Sequence, residues 1–370
     1  MAHKAYKFRL YPTKEQEEFL ARTFGCVRFV YNKMLAERKE TYERFKDDKE
    51  LLKKQKFPTP AKYKKEFEWL KEVDSLALAN AQLNLQSSFS RFFSGKSGYP
   101  KFKSRKSRQS YTTNLVNGNI KLLDGSIKLP KLQPLRMKQH RKIPSHQIIK
   151  SCTISRSATG KYHVSILTEY DHTPSKREIR EVIGLDFAMH GLFVESEGGK
   201  KANYPRFYRQ IEEKLAKEQR ILSKKTRGSS RWNKQRVKVA QLHEKAAKQR
   251  KDFLHKASRK LADRYDGVVI EDLHMKGMSQ ALRLSKSVAD NGWGMFTAFL
   301  RYKLDEQGKP LVKIDKWFPS TKTCSDCGSV KDTLPLSERT FSCECGFVLD
   351  RDWNAARNIK KEGLLLIGLS

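Results

Sequence analysis

Two close pairs of cysteines near the end of the chain limit its possible folds more than any other feature. Cys324 and Cys327 are separated by two residues, 15 residues follow, and Cys343 and Cys345 are separated by one. This spacing is typical of a zinc ribbon, in which four thiolates hold one tetrahedral Zn²⁺. The one-residue spacer is shorter than usual but still allows chelation. We expect one structural zinc, which replaces the core that so small a module cannot build.

The two remaining cysteines have a different character. Cys26 and Cys152 are isolated among apolar or small neighbours and are interpreted as core residues. In a reducing compartment, the clustering of the other four cysteines indicates metal binding rather than disulfides. The sequence shows no long apolar run, signal peptide or lipidation motif. We therefore expect a protein of the cell interior, with no membrane partner.

The chain carries a large excess of positive charge. Its 370 residues include 76 Lys and Arg against 41 Asp and Glu, which gives a formal net charge of +35. With 38% hydrophobic residues, the chain is too apolar for a disordered basic tail, so the charge belongs to folded domains. Such an excess predicts a polyanionic partner, most simply nucleic acid. A generic basic surface is the alternative, although modest charge suffices for solubility.

Helical patterns dominate residues 13–94. Thr13 is predicted to cap the first helix, in a capping box with Gln16. The apolar periodicity then continues, with Gly25 as a candidate break. A further helix is predicted to start at Thr59, with Pro60 in its first turn.

Strand patterns dominate residues 118–171. Hairpin turns are predicted at Asp124–Gly125 and at Ala158–Gly160, and the N-terminal segment AYKFRLYP is expected to join the same sheet. Before these strands comes the basic, aromatic stretch GKSGYPKFKSRKSRQSYTTN. Its composition suits either a nucleic-acid-binding loop or a solvated, mobile loop, and the sequence leaves both open.

The sequence pattern of the second half of the chain predicts an α/β domain. Strands are predicted for three apolar segments, with helical patterns between them: VIGLDFA, GVVIEDLHM and LVKIDKWF. Residues 206–264 are predicted to form two basic helices, with a break near Arg227. They hold 20 Lys and Arg against 6 Asp and Glu, which favours a phosphate-contacting arm over an ordinary solvated face.

Carboxylates occur at positions where they are expensive to bury. Asp186 lies inside one apolar strand, Glu271 and Asp272 end another, and Asp350 and Asp352 open the last helix. A structural salt bridge could explain each one alone. Together, on elements that could converge at one sheet edge, they favour a site for divalent metal ions, because hydrolysis of a phosphodiester by two ions needs hard oxygen ligands.

The motifs resemble the TnpB family of transposon-associated nucleases, which are related to type V CRISPR effectors. The resemblance is carried, in order, by VIGLDFAMHG, VIEDLHMKGM, FPSTKTCSDCG and CECGFVLDRDWNAARNI. Weaker similarity extends through YKFRLYPTKEQEEFLARTFGCVRFVYNKML, WLKEVDSLALANAQLNLQSSFSRFF and SGYPKFKSRKSRQSY. The resemblance therefore covers nearly the whole chain.

The family implies a multidomain α/β fold: an RNase H-like (RuvC) nuclease domain with an inserted zinc ribbon, after a helical recognition region and a β-barrel-like wedge domain. The expected boundaries are 1–12 for the first wedge strand, 13–95 for the recognition region, 96–175 for the wedge, 176–319 and 349–370 for the nuclease domain, and 320–348 for the ribbon.

The resemblance also implies the activity. The family cleaves double-stranded DNA beside a short target-adjacent motif, directed by a guide RNA from the transposon end. By motif, Asp186, Glu271 and Asp352 are the catalytic trio that holds two Mg²⁺ or Mn²⁺ ions, whereas Asp272 and Asp350 are not ligands. A cytoplasmic, nucleoid-associated monomer of a prokaryotic cell is expected.

Two alternatives remain open. One is an inert RNA-guided DNA-binding regulator, although all three acids are present. The other is a protein-only DNA resolvase or transposase, since a basic surface binds DNA and RNA alike.

Candidate readers of the adjacent motif follow from the segments that lie against this DNA in the family. They are Asn80, Tyr111, Thr113 and Asn117, because asparagine can pair with the edge of adenine and threonine can donate or accept. Asn117 could equally make a turn with Gly118. In the basic arm, Arg227 is expected to contact phosphate rather than bases.

Overall fold

A computed structural model describes residues 1–174, 178–189, 191–275, 277, 290–335 and 337–369. The chain divides into two compact units, Met1–His172 and Thr173–Ser370. The expected domain boundary at residue 176 lies outside the described residues. Among the helices of the described ranges, none is both long and apolar enough to cross a membrane.

The first unit contains four helices beside a sheet. They are α1 (Lys14–Phe45), α2 (Lys49–Lys54), α3 (Pro60–Glu66) and α4 (Ser75–Phe93). The capping box of α1 is confirmed, since the side chains of Thr13 and Gln16 each accept from the other's backbone N–H. The helix start at Pro60 is also confirmed. The break at Gly25 is wrong, because α1 runs through it without interruption. Helix α2 was not anticipated.

The sheet of the first unit is antiparallel. Its strands are β1 (Ala2–Tyr11), β2 (Gln109–Asn114), β3 (Lys121–Leu123), β4 (Ser126–Leu129), β5 (Leu132–Lys138), β6 (Ile148–Arg156) and β7 (Tyr162–Tyr170). Their order is β2-β6-β7-β1-β5-β4-β3. Both predicted hairpins are present, and β1 joins the sheet between β7 and β5. Apolar residues of α1 and α4 share one core with these strands.

The end of the basic, aromatic stretch is a strand rather than a loop. In β2 the side chains of Tyr111 and Thr113 point into the core, and the ring of Tyr111 lies 5.8 Å from that of Phe24. The earlier part of the stretch is held to α1, because the side-chain amide of Asn32 donates to the carbonyl of Lys103 and accepts from its N–H, both at 2.8 Å. The stretch is therefore an anchored surface segment.

The second unit has a four-stranded mixed sheet. Its strands are β8 (Val182–Phe187), β9 (Phe193–Glu195), β10 (Gly267–Glu271) and β11 (Leu311–Ile314), in the order β11-β10-β8-β9. Strands β8, β10 and β11 are parallel, and β9 is antiparallel to β8. A two-stranded ribbon of β12 (Thr340–Ser342) and β13 (Val348–Asp350) follows.

Helices cover both faces of this sheet. They are α5 (Glu212–Ser223), α6 (Ser230–Arg264), α7 (Trp293–Glu306) and α8 (Arg351–Leu366). The break predicted near Arg227 is confirmed between α5 and α6. Residues Ile183 and Ile270 share a core with α6 and α7, whereas Val182 and Val269 pack with Ile359 of α8. Since strand side chains alternate between faces, Gly184, Asp186 and Glu271 also belong to the α8 face.

Helix α8 approaches the sheet closely because a glycine lies beneath it. A Cβ atom at Gly184 would lie 2.4 Å from the carbonyl oxygen of Ala356 and 2.6 Å from the backbone nitrogen of Lys360. Backbone atoms cannot yield as a flexible side chain can, so a larger residue would push α8 away. This close packing fixes the helix that carries Asp352 against the strand that carries Asp186.

We therefore expect Gly184→Ala to destabilise the protein by about 2–4 kcal/mol. Thermal unfolding of the purified variant measures this, with Gly294→Ala as the matched control. Gly294 lies in α7 with no atom within 4 Å of its added Cβ, so alanine there should be neutral or slightly stabilising. Equal unfolding temperatures for the two variants would contradict the close packing of α8.

Candidate active site and zinc centre

The three predicted catalytic carboxylates come from three elements that meet at one sheet edge. Parallel pairing aligns Leu185 with Ile270, so the next residues along the strands, Asp186 and Glu271, are neighbours on the α8 face. Asp352 lies one helical turn before Ala356, the residue above Gly184. Asp186 is two residues along the strand from Gly184, about 6–7 Å away. Asp352 is about the same distance along the helix from Ala356. The carboxylates therefore converge.

The electrostatics of Asp186 reflect this convergence. Burial raises its pKa well above the usual range, and the negative charges of Glu271 and Asp352 raise it further, while Arg351 acts in the opposite direction. Among the described residues, only the four cysteines bring ligand atoms within 4.8 Å of one another, so the carboxylates do not form an equally tight cluster. A buried carboxylate beside two like charges creates a site of strong negative potential, which suits divalent cations.

Glu271 is held by a serine that the sequence did not single out. The hydroxyl of Ser320 donates to Oε1 of Glu271 at 2.5 Å. Burial raises the pKa of Glu271, and this hydrogen bond partly offsets the effect. The adjacent Asp272 forms an ion pair with Lys313 instead.

Asp350 accepts hydrogen bonds from the backbone at the start of α8. Its Oδ1 accepts from the backbone N–H groups of Asp352 and Trp353 at 3.0 and 3.1 Å, and its Oδ2 accepts from Lys201 at 3.0 Å. Burial acts to raise the pKa of Asp350, but these hydrogen bonds outweigh it and the pKa is lowered. Asp350 thus caps the helix that positions Asp352.

The four ribbon cysteines form the expected cluster. Their sulfur atoms all lie within 4.8 Å of one another, with 3.8 Å from Cys324 to Cys345 and 3.6 Å from Cys327 to Cys343. Tetrahedral zinc with Zn–S bonds of about 2.3 Å requires sulfur atoms about 3.8 Å apart. The short second spacer therefore does not strain the cluster, and the residues fit Zn²⁺.

Two asparagines on α8 tie the ribbon to the carboxylate site. Asn354 accepts from the N–H of Ser325 at 2.9 Å and donates to the carbonyl of Thr323 at 2.7 Å. Asn358 donates to the carbonyls of Ser320 and Thr323 at 2.8 and 2.6 Å. Sequence reasoning missed both, although two asparagines four residues apart on a buried helix face were a usable signal.

The predicted motif readers divide into accessible and buried residues. Asn117 is exposed, and Asn80 is half-buried with its amide nitrogen 2.8 Å from the carbonyl of Leu76. Residues Tyr111 and Thr113 are only 5% and 0% exposed. They cannot contact a base in this conformation, because the strand alternation that the sequence reasoning overlooked turns them into the core. Arg227 is exposed between α5 and α6.

An aromatic surface lies where α4 ends. Phe93, Tyr99 and Phe102 are exposed, and the rings of Phe92 and Tyr99 meet edge to face. No acidic residue occurs from 91 to 114, whereas Arg91, Lys96, Lys101, Arg105, Lys106 and Arg108 are exposed. Exposed rings among cations are suited to unpaired nucleotides.

Three family models match the chain. They are described as "Probable transposase" over residues 165–282, "Helix-turn-helix domain" over residues 1–47, and "Cas12f1-like, TNB domain" over residues 293–359. The first 47 residues form a strand and one continuous helix. The third match contains the ribbon and most of α8.

Curated relatives match over nearly the full length. A Streptomyces pristinaespiralis protein named "Putative RNA-guided DNA endonuclease" is 38% identical over 98% of this chain and 89% of its own length. An Escherichia coli (strain K12) protein, InsQ, described in the same words, is 30% identical over 97% of this chain and 92% of its own. "TnpB-like protein L79" of Acanthamoeba polyphaga mimivirus is 32% identical over 39% of this chain and 28% of its own.

A solved structure shares the fold. The structure titled "Cryo-EM structure of the Cas12f1-sgRNA-target DNA complex" has a TM-score of 0.61, with 13% identity over 97% of this chain and 98% of the other. The mixed α/β architecture is therefore common to both proteins. Together with the 38% identity over almost the whole length and the matched family models, this shows that the chain belongs to the TnpB family.

Proposed function

We propose that this protein is an RNA-guided endonuclease that cleaves double-stranded DNA beside a short adjacent motif. In this proposal the second unit is an RuvC-like nuclease domain with an inserted zinc ribbon. The first unit comprises a helical recognition region and a wedge domain. The observation that carries the proposal is the convergence of Asp186, Glu271 and Asp352 from two parallel strands and a helix at one sheet edge. The names of the curated relatives support the RNA-guided activity.

Each carboxylate contributes through how it is held. Asp186 lies on a buried strand, so its position is fixed and it would hold a metal ion directly. Ser320 occupies Oε1 of Glu271 and leaves Oε2 for a metal ion. Asp352 is oriented by the capped first turn of α8. Two bound Mg²⁺ or Mn²⁺ ions would supply an activated water and neutralise charge on the leaving oxygen.

The aromatic, cationic surface after α4 and the basic arm around Arg227 supply the binding energy in this proposal. Phosphate contacts by exposed lysine and arginine act on any sequence, while exposed rings can stack on unpaired bases. In this proposal the target DNA sequence is selected by base pairing with the guide RNA.

Sequencing the nucleic acid that co-purifies with the protein tests this function against its alternatives. A discrete RNA species with a constant part and a variable end is expected. Protein that binds and cuts DNA after complete removal of RNA would instead indicate a protein-only resolvase or transposase. An RNA-bound protein that binds target DNA but never cuts it in Mg²⁺ would indicate a regulator.

Asn80 and Asn117 are proposed to read the adjacent motif, and their loss should relax preference at one base at a cost of about 1–3 kcal/mol. The variants are Asn80→Ala and Asn117→Gly. Glycine is chosen because Asn117 has φ of 49° before Gly118, and glycine keeps that turn while removing the amide. A motif-depletion screen measures the preference.

Arg227→Ala is the contrasting variant for this screen. Because an exposed arginine on the basic arm contacts phosphate rather than bases, its loss should weaken binding to all sequences equally and flatten the salt dependence. An unchanged motif in both asparagine variants would remove these residues from the reading site.

A further inference from the structure

Trp317 is a tryptophan that the fold holds in solvent. The residue is 80% exposed, although tryptophan is normally buried over most of its surface. The next residue, Phe318, packs against the core between the sheet and α8. The backbone N–H of Trp317 donates to Oδ1 of Asp315 at 2.7 Å, and that of Phe318 donates to the carbonyl of Asp315 at 3.2 Å. The turn is therefore anchored, with one ring inside and the other outside.

Both ends of this turn are fixed to Glu271. On one side, Ile314 pairs with Glu271 in the parallel sheet. On the other side, the hydroxyl of Ser320 donates to the carboxylate of Glu271. Trp317 is three residues from each, and three residues of chain span at most about 10 Å. The backbone of Trp317 is consequently within about 10 Å of both residues that contact Glu271, which places this turn near the carboxylate site.

The charges around the ring suit a polyanion. The Nζ atom of Lys316 lies 5.0 Å from the ring centroid, whereas the Nζ atom of Lys322 in the same segment donates to the carbonyl of Asp332 instead. A planar ring beside cations binds unpaired nucleotides, whose base stacks on the ring while the phosphate contacts the cation. A base inside a duplex has no free face, so the partner would be a single strand.

We propose that Trp317 stacks on a base of the single DNA strand that enters the carboxylate site and so positions the neighbouring phosphate for cleavage. This inference rests on the proposed nuclease function. The occupant is the DNA strand to be cut rather than the guide, because this turn lies near the residues that would hold the scissile phosphate.

Photocrosslinking tests the contact directly. The protein, with its co-purified nucleic acid, is irradiated with a single-stranded DNA oligonucleotide carrying 5-iodouracil, and crosslinked peptides are mapped by mass spectrometry. Crosslinking at Trp317 is expected. A map in which the crosslinked peptides exclude Trp317 would overturn the proposal. This readout does not require cleavage, so it remains informative if the proposed function fails.

Cleavage kinetics test the positioning role. Trp317→Ala should lower kcat/KM for target DNA by about 10-fold or more, whereas Trp317→Phe should stay within about threefold because it keeps a stacking face. The control is Leu365→Ala, at a residue that is 61% exposed and lies about 20 Å along α8 from Asp352. Both alanine variants should unfold at the wild-type temperature. Wild-type kcat/KM in Trp317→Ala, with an active wild-type enzyme, would overturn the proposal.

Discussion

Asp186→Ala is expected to abolish DNA cleavage while leaving guided DNA binding within about threefold of wild type. Asp186 is buried, and the charges of Glu271 and Asp352 act on its carboxylate, so in the proposed mechanism no neighbouring group would replace it as a metal ligand. Loss of such a ligand typically costs at least about 10³-fold in rate. Binding survives because the phosphate contacts lie elsewhere. Single-turnover cleavage and a gel-shift assay on the same preparation measure the two effects.

The matched variant Asp186→Asn separates chemistry from folding. Burial and like charges raise the pKa of Asp186 above its unfolded value, so the folded state binds the proton more tightly. Stability is consequently lost as pH rises from the unfolded pKa, about 3.9, towards the folded pKa. Asparagine has no carboxyl group to ionise, so the variant does not lose this stability as pH rises. It should be inactive, and at pH 7.5 without Mg²⁺ it should unfold at a higher temperature than wild type. An inactive variant that is less stable than wild type would point to a structural role.

Cys324→Ser is expected to remove about one equivalent of zinc per chain and to lower the unfolding temperature of the second unit. Cys324 is buried, and its sulfur lies 3.8 Å from that of Cys345. Without the metal, the segment that bonds to Asn354 and Asn358 loses its fixed shape. Cleavage should therefore fall as well, since α8 carries Asp352. Elemental analysis of protein purified without chelators measures the zinc.

The control for this experiment is Cys26→Ala. Cys26 is also buried, but it packs in the core of the first unit, so its loss should leave the zinc content unchanged. Equal zinc in wild type and Cys324→Ser would contradict the ribbon as a metal site. Zinc loss without any loss of cleavage would contradict its proposed support of α8.

Local chemistry made several features predictable from the sequence. Thr13 and Gln16 satisfy each other's backbone within one helical turn, and the turn at Asp124–Gly125 depends on neighbouring residues alone. The cysteine cluster was predictable because metal spacing is nearly independent of context. Gly25 was misjudged because a long helix with a buried face tolerates the small cost of one glycine.

Features that depend on distant packing were not predictable in the same way. The alternation of Tyr111 and Thr113 into the core was hidden by the basic residues just before them, which suggested a loop. Ser320 is 49 residues after Glu271 in the sequence, and its hydroxyl reaches the carboxylate only because the chain turns back after β11. The tight approach of α8 depends on Gly184 lying directly below Ala356, which one-dimensional periodicity cannot reveal. The resemblance to a family predicted the trio, while the register of β8 and β10 explains why Asp186 and Glu271 are neighbours.

The most direct test of the proposed function is to change the guide and map the cut. Purified protein is loaded with two guide RNAs that differ only in the variable end, and each complex is incubated in Mg²⁺ with one plasmid that holds both targets beside the adjacent motif. The cut is expected to move with the guide and to disappear with Asp186→Ala. A cut whose position ignores the guide, or that persists in Asp186→Ala at the wild-type rate, would contradict an RNA-guided nuclease acting through these carboxylates.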